Sequence, residues 1–154
     1  QFRKALTDVM QDVAIQVVCD GEGVSKLMTV DVSGAEDDAA ARRIGLAIGN
    51  SPLVKTAVAG ADANWGRIVM AVGKSGERVD RDRLSIEIGG HKVARRGRVV
   101  PGYDEAPVAR HMQGQRIHIA VDVGAASGKA KGRTRIWASD LTHGYISINA
   151  DYRS

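Results

Sequence analysis

Apolar residues return at spacings of three and four through the first twenty residues. Phe2, Leu6, Val9, Val13 and Val17 share one face, which predicts a helix of about five turns. Gly21 stands where a helix end wants a residue free of side-chain strain. The period then changes to two. In "KLMTVDVSG", Met28, Val30 and Val32 fall on one side and Thr29 and Asp31 on the other, the mark of a half-buried strand. "EDDAAARRIGLAIGN" returns to the helical period, with acids in its first turn and Gly49-Asn50 ahead of Pro52 as its stop. "LVKTAVAG" reads as a short β-rich run closed by Gly60, and "ADANWGRIVMAVGKSG" as a helix capped by Asn64 and ending near Gly73 or Gly76. "RLSIEIGGHKVAR" predicts a hairpin turning at Gly89-Gly90. "DEAPVARHMQG" predicts a short helix, and "QRIHIAVDVG" and "RTRIWASDL" predict strands around a Gly- and Lys-rich link. The tail, "LTHGYISINADYRS", carries Ile146 and Ile148 and then turns polar. The order α-β-α-β-α-ββ-α-ββ implies an α+β domain: a mixed, mostly antiparallel sheet with helices packed on one face.

Composition agrees with that picture. The 154 residues suit one domain with a real core, residues 1–154 forming a single unit with no internal repeat or linker. Apolar residues make up 44% and charged residues 26%, a globular balance, but only 4% are aromatic, so the core must come from Val, Ile, Leu and Ala. No apolar run approaches the roughly 20 residues of a membrane helix, and nothing resembles a secretory signal. Cys19 stands alone, which rules out an internal disulfide and suits a reducing, cytoplasmic setting; it reads as a small hydrophobe on a helix rather than a reactive thiol. Net charge is +4, concentrated in "HKVARRGR" and "GKAKGRTR". Those runs are short, broken by glycine and not interleaved with stacking aromatics, so solvated hairpins or a small anion fit better than nucleic acid. The chain opens on Gln1 inside a helical pattern, so a piece of a longer protein is expected.

Candidate chemistry is sparse. "VGKSG" has Gly73-Lys74-Ser75, but Ile68 replaces the first glycine of a phosphate loop, and "GAASGKAKG" is one residue short. His91, His111, His118 and His143 do not pair with Cys or acids at ligand spacings, so no metal is expected. No Gly-x-Ser-x-Gly elbow supports a serine triad. "GADANWGRI" packs Asp62, Asn64, Trp65 and Arg67 between glycines and reads equally as a binding cluster or as a capped helix with an anchoring Trp. In the tail, Asn149, Asp151 and Tyr152 follow two Ile: tails are usually frayed, and this pattern is also open to a segment docked into a cleft. "DGEG" holds Glu22 between two glycines: a turn explains the glycines and leaves the carboxylate open as site or solvated loop.

"DGEGVSKLMTVDVSGA", "NSPLVKTAVAGADANWGRIVMAVGKSG" and "DLTHGYISINADYRS", in that order, resemble the matching segments of the ornithine acetyltransferases of arginine biosynthesis, also called glutamate N-acetyltransferases, the ArgJ family. The resemblance runs from about Phe2 to Ser154, with "GVSK" where "GATK" is commoner and "DANW" where "DPNW" is common. It implies an N-terminal-nucleophile, amidase-like (DmpA/ArgJ-like) architecture. It implies a precursor that cuts itself into α and β chains. The new N-terminal Thr of the β chain would take acetyl from N2-acetylornithine as an acyl-enzyme and pass it to glutamate, with an oxyanion hole from the α chain. The cleavage segment ending in Ala-Thr-Met is absent here, and "AKGRT" at 130–134 lacks its context. The resemblance therefore implies that residues 1–154 form the C-terminal part of the β chain, inactive alone and paired with the α chain and the rest of β, in an α2β2 assembly. It implies substrate-binding roles for Glu22, Asn149 and Ser154, no catalytic residue in this chain, and no cofactor, with acetyl-CoA a further acetyl donor if the enzyme is bifunctional. An aminopeptidase or amidase of the same architecture is the alternative. A basic RNA-binding module is a third reading, which salt-dependent binding to nucleic acid would support.

Overall fold

A computed structural model describes residues 1–126 and 132–151. Among them the chain forms helix α1 (Phe2–Cys19), strand β1 (Leu27–Ala35), helices α2 (Asp38–Gly49), α3 (Pro52–Ala59) and α4 (Trp65–Lys74), strands β2 (Ser85–Ile88), β3 (His91–Arg95) and β4 (Arg98–Val99), helix α5 (Ala106–Met112), strands β5 (Arg116–Asp122) and β6 (Gly132–Ser139), and helix α6 (His143–Asp151). The strands make one sheet in the order β4-β3-β2-β5-β1-β6. β1 runs parallel to β5; the pairings β1–β6, β2–β3, β2–β5 and β3–β4 are antiparallel. This is the mixed, mostly antiparallel α+β arrangement expected from the pattern.

The apolar face of the sheet carries the core. Met28, Val30 and Val32 of β1 lie level with Ile117, Ile119 and Val121 of β5, and Ile86 and Ile88 of β2 continue the row. Ala40, Ala41, Ile44 and Ile48 of α2 close over it, joined by Ile68 and Val72 of α4 and Val108 and Met112 of α5. Small side chains let α2 approach closely: a Cβ on Gly45 would meet Ile136 of β6. The opposite face is polar. Across its middle, one level of the register reads Lys92, Glu87, Ala120, Asp31, Arg135. Arg135 donates to Asp31 through Nε at 2.6 Å and Nη2 at 2.7 Å, and His118 Nε2 lies 2.8 Å from the same carboxylate.

Four readings change. "LVKTAVAG" is not a strand. Ser51 caps it, its Oγ accepting from Val54 N, with Pro52 in the first turn, and the segment is α3. The tail, to which the pattern assigns no element, is helical over His143–Asp151. The face shared by Phe2, Leu6, Val9, Val13 and Val17 is helical as predicted but not buried: Phe2 is 81% and Val17 69% exposed, and α1 contributes no buried residue. Cys19, the last residue of α1, is a free and exposed thiol rather than a packed one.

Candidate functional site

The turn after α1 owes its shape to what lies behind it. Gly23 has φ +69°, a left-handed conformation that costs glycine little, and a Cβ there would collide with the backbone N of Tyr145 and come within 2.7 Å of Gly144 C. The glycine turn therefore lies flat against the start of α6. Thr142 clamps the two: its Oγ1 donates to Gly23 O at 2.6 Å and accepts from Gly144 N at 3.1 Å. Asp140, only 3% exposed, holds the far side of the turn by accepting from Ser25 N at 3.0 Å and from the Ser25 hydroxyl. Lys26 then anchors the chain, its Nζ donating to Val58 O at 2.9 Å and Met112 O at 2.7 Å.

This scaffold brings together two of the three residues singled out in the sequence. Asn149 Nδ2 donates to Glu22 Oε2 at 2.9 Å and to Tyr145 O at 3.0 Å, so one turn of α6 carries the amide to the carboxylate across 127 residues of chain. Both side chains are exposed on one side of the turn. Ser154 lies outside the described residues, as does Tyr152. Glu22 and Tyr145 also line a cavity of about 360 Å3 with Asn50, Lys55, Ser139 and Asp140. Lys55, Asp140, Thr142 and Tyr145 are the members that sequence reasoning did not single out, although all four lie inside the motif segments quoted above.

Other sequence candidates resolve as structure. Asn64 caps α4 by accepting from Arg67 N at 3.3 Å, Trp65 packs against the core, and Arg67 Nη1 donates to Leu53 O at 2.9 Å, so "GADANWGRI" is a capped helix tied to α3. "HKVARRGR" is the hairpin of β3 and β4, turning at Arg96-Gly97, both with positive φ; its basic side chains are on the surface side while Val93 and Ala94 are buried in the core. Much of "GKAKGRTR" lies outside the described residues. His111 Nε2 accepts from His118 N at 2.9 Å; burial, with lesser repulsion from His118 and His91, holds its imidazole below the usual histidine range. Arg135 and His118 beside Asp31 hold that carboxyl below the usual carboxylate range, the Arg135 hydrogen bonds contributing most. Among the described residues no group of three or more His, Cys, Asp or Glu could hold a metal ion, and no helix is long and apolar enough to cross a membrane.

Comparison with known proteins places these motifs. The arginine biosynthesis bifunctional protein ArgJ of Gluconobacter oxydans is 58% identical over 154 residues, all of this chain and 35% of the relative. That of Zymomonas mobilis is 58% identical over the same span and 37% of its own length. The chain thus spans little more than a third of the curated relatives it matches. The crystal structure of the arginine biosynthesis bifunctional protein ArgJ from Bacillus halodurans superposes with a TM-score of 0.91 at 38% identity, covering 98% of this chain and 69% of that one. The fold is that of its N-terminal-nucleophile, amidase-like architecture. The ArgJ family model matches residues 1–154, the full length given, and the chain belongs to the ArgJ family.

Proposed function

We propose that this chain supplies part of the substrate site of an arginine-biosynthesis acetyltransferase. The enzyme moves acetyl from N2-acetylornithine to glutamate through an acyl-enzyme on a threonine outside these residues. The observation that carries the reading is the Glu22–Asn149 pair, which the fold builds from two distant family motifs, with Glu22 lining a cavity. In the first half-reaction the threonine Oγ attacks the acetyl carbonyl. Its proton passes through the chain-terminal amine to the departing ornithine nitrogen, and an acetyl ester remains. In the second, the glutamate amine attacks that ester and the threonine regains its proton. Glu22 offers a carboxylate to a substrate ammonium, while Asn149, its two amide N–H groups spent on Glu22 and on Tyr145 O, keeps its carbonyl for the substrate. The family resemblance gives Ser154, outside the described residues, a substrate-binding role beside these two.

The relatives carry the name bifunctional. For this protein we extend the proposal to a second donor, acetyl-CoA, in N-acetylation of glutamate. The working enzyme is an α2β2 assembly of self-cleaved chains in the cytoplasm, with residues 1–154 inactive alone.

The test is acetyl transfer by the full-length protein, using labelled N2-acetylornithine and unlabelled glutamate, with the acetyl-enzyme trapped and weighed. Label in N-acetylglutamate and on a β-chain N-terminal threonine is the expected result; hydrolysis of peptides or amides without transfer would defeat the proposal. In that enzyme Glu22→Gln removes a charge-assisted contact of about 1.5–3 kcal/mol, roughly ten- to a hundredfold in kcat/KM. Unchanged kinetics would remove Glu22 from the site.

A further inference from the structure

Lys55 has no role in the site as described so far, yet it faces the same cavity as Glu22. The helical form of α3 puts it there. Lys55 N donates to Ser51 O at 2.9 Å, closing the first turn, while Val54, Ala57 and Val58 take the buried positions and leave Lys55 half-buried on the cavity side. Its carbonyl accepts from Leu141 N at 3.3 Å, which ties it to the connection that also carries Asp140 and Thr142. The ammonium has little to satisfy it. Nζ donates to Ser139 Oγ at 3.2 Å, and among the described residues no carboxylate lies within 4 Å of it. Asp140, the other acid on the wall, has both oxygens engaged by Ser25. Glu22 is in the mirror situation: its recorded partner is the neutral Asn149 amide, and no cation among the described residues lies within 4 Å.

A cavity of about 360 Å3 falls in the range of roughly 300–1,000 Å3 typical of small-molecule sites. With Asp140 held by Ser25, its wall presents the Glu22 carboxylate and the Lys55 ammonium, which do not neutralise each other. Two such charges are complementary to a molecule bearing both signs. We propose that Lys55 receives the carboxylate of the amino-acid substrate while Glu22 receives its ammonium, making the cavity a two-ended site for zwitterionic amino acids. An ammonium with free donors is a point-charge receptor for a carboxylate, and the Ser139 hydroxyl beside it can add a second donor. This assignment rests on the acetyltransferase reading and deepens it: it gives the substrate carboxylate to a helix of the chain's middle rather than to its tail.

The experiment crosses the residue with the ligand group. Full-length enzyme, as parent, Lys55→Met and Lys55→Arg, is assayed with N2-acetylornithine and with the same compound carrying a carboxamide in place of the carboxylate. The expected result is a KM for N2-acetylornithine raised roughly ten- to a hundredfold in Lys55→Met with a much smaller change in kcat, as loss of a charge-assisted hydrogen bond implies. Lys55→Arg keeps most of the affinity. The carboxamide is as poor a substrate for the parent as N2-acetylornithine is for Lys55→Met, and the variant treats acid and amide alike. A Lys55→Met enzyme that loses equally on both compounds, or on neither, overturns the proposal. If both variants misfold, the parent alone decides: acid and carboxamide within twofold of each other overturn it. A parent with no acetyl transfer at all would instead overturn the acetyltransferase reading. Titration of glutamate into parent and Lys55→Met by calorimetry would then decide on Lys55, with unchanged affinity as the negative.

Discussion

Thr142 is the residue on which the geometry of the pair turns. Its hydroxyl spends its single proton on Gly23 O and its lone pair on Gly144 N, so one side chain sets how closely the Glu22 turn lies against α6. Thr142→Val keeps the shape and removes both bonds, leaving a part-buried carbonyl and amide without a partner. The expected loss is about 1–3 kcal/mol in urea unfolding, together with a fall in kcat/KM of the full-length enzyme, and Thr142→Ser should restore both. A valine variant as stable and as active as the parent would show that the turn holds itself. The identity of the clamp is written in "DLTHGY", but its action is not. A threonine two residues after Asp140 looks like any helix-start hydroxyl, and its bond to Gly23 spans 119 residues. Glu22 itself illustrates the same limit: local pattern accounts for its glycines, and only the family resemblance paired it with Asn149.

At the scale of elements, the strands and most helices were legible because period and punctuation agreed. β2 and β5 alternate cleanly, β1 does so from Met28 through Ser33, and α2 and α4 carry caps that can be read directly. α3 was missed because Val54, Thr56 and Val58 alternate like a strand over a short run, while the deciding signals, Ser51 as cap and Pro52 behind it, lie just upstream. α6 was missed because Ile146 and Ile148 are two apart and share no helical face. The contact between α5 and β5 has a consequence in solution. His111 Nε2 can accept from His118 N only while it carries no proton. Its affinity for protons is lowered in the fold, chiefly by burial. The unfolded chain therefore binds the proton more readily, so this contribution to stability is complete above the ordinary histidine value of 6.5 and is lost as pH falls through it toward the folded value. Asp31, held low by Arg135, stays ionised throughout that window. The urea midpoint should drop between pH 8 and pH 5.5, and His111→Gln should flatten the drop; an equally steep drop in that variant would assign it to other groups.

At the scale of the whole molecule, α1 presents Phe2, Leu6, Val9, Met10, Val13 and Val17 to solvent, a continuous apolar stripe larger than a free surface usually keeps. The curated relatives are nearly three times as long as this chain. The stripe is expected to be covered by that remainder in the full-length protein. Val13→Glu should then cost the full-length protein about 1–3 kcal/mol while moving residues 1–154 alone by no more than about 0.5 kcal/mol, as judged by denaturation of both. Equal losses would place the partner of α1 within these residues. The 127-residue span between Glu22 and Asn149 adds a constraint in time. Contacts so far apart in sequence cannot form until β5 has joined β1 and β6 has closed the edge of the sheet, because loop closure over that distance is unfavourable until other contacts shorten it. A ribosome releases Glu22 127 residues ahead of Asn149. The carboxylate therefore waits without its amide partner while those residues emerge, and the pair assembles only in chains whose sheet is complete, which makes substrate affinity a built-in check on folding.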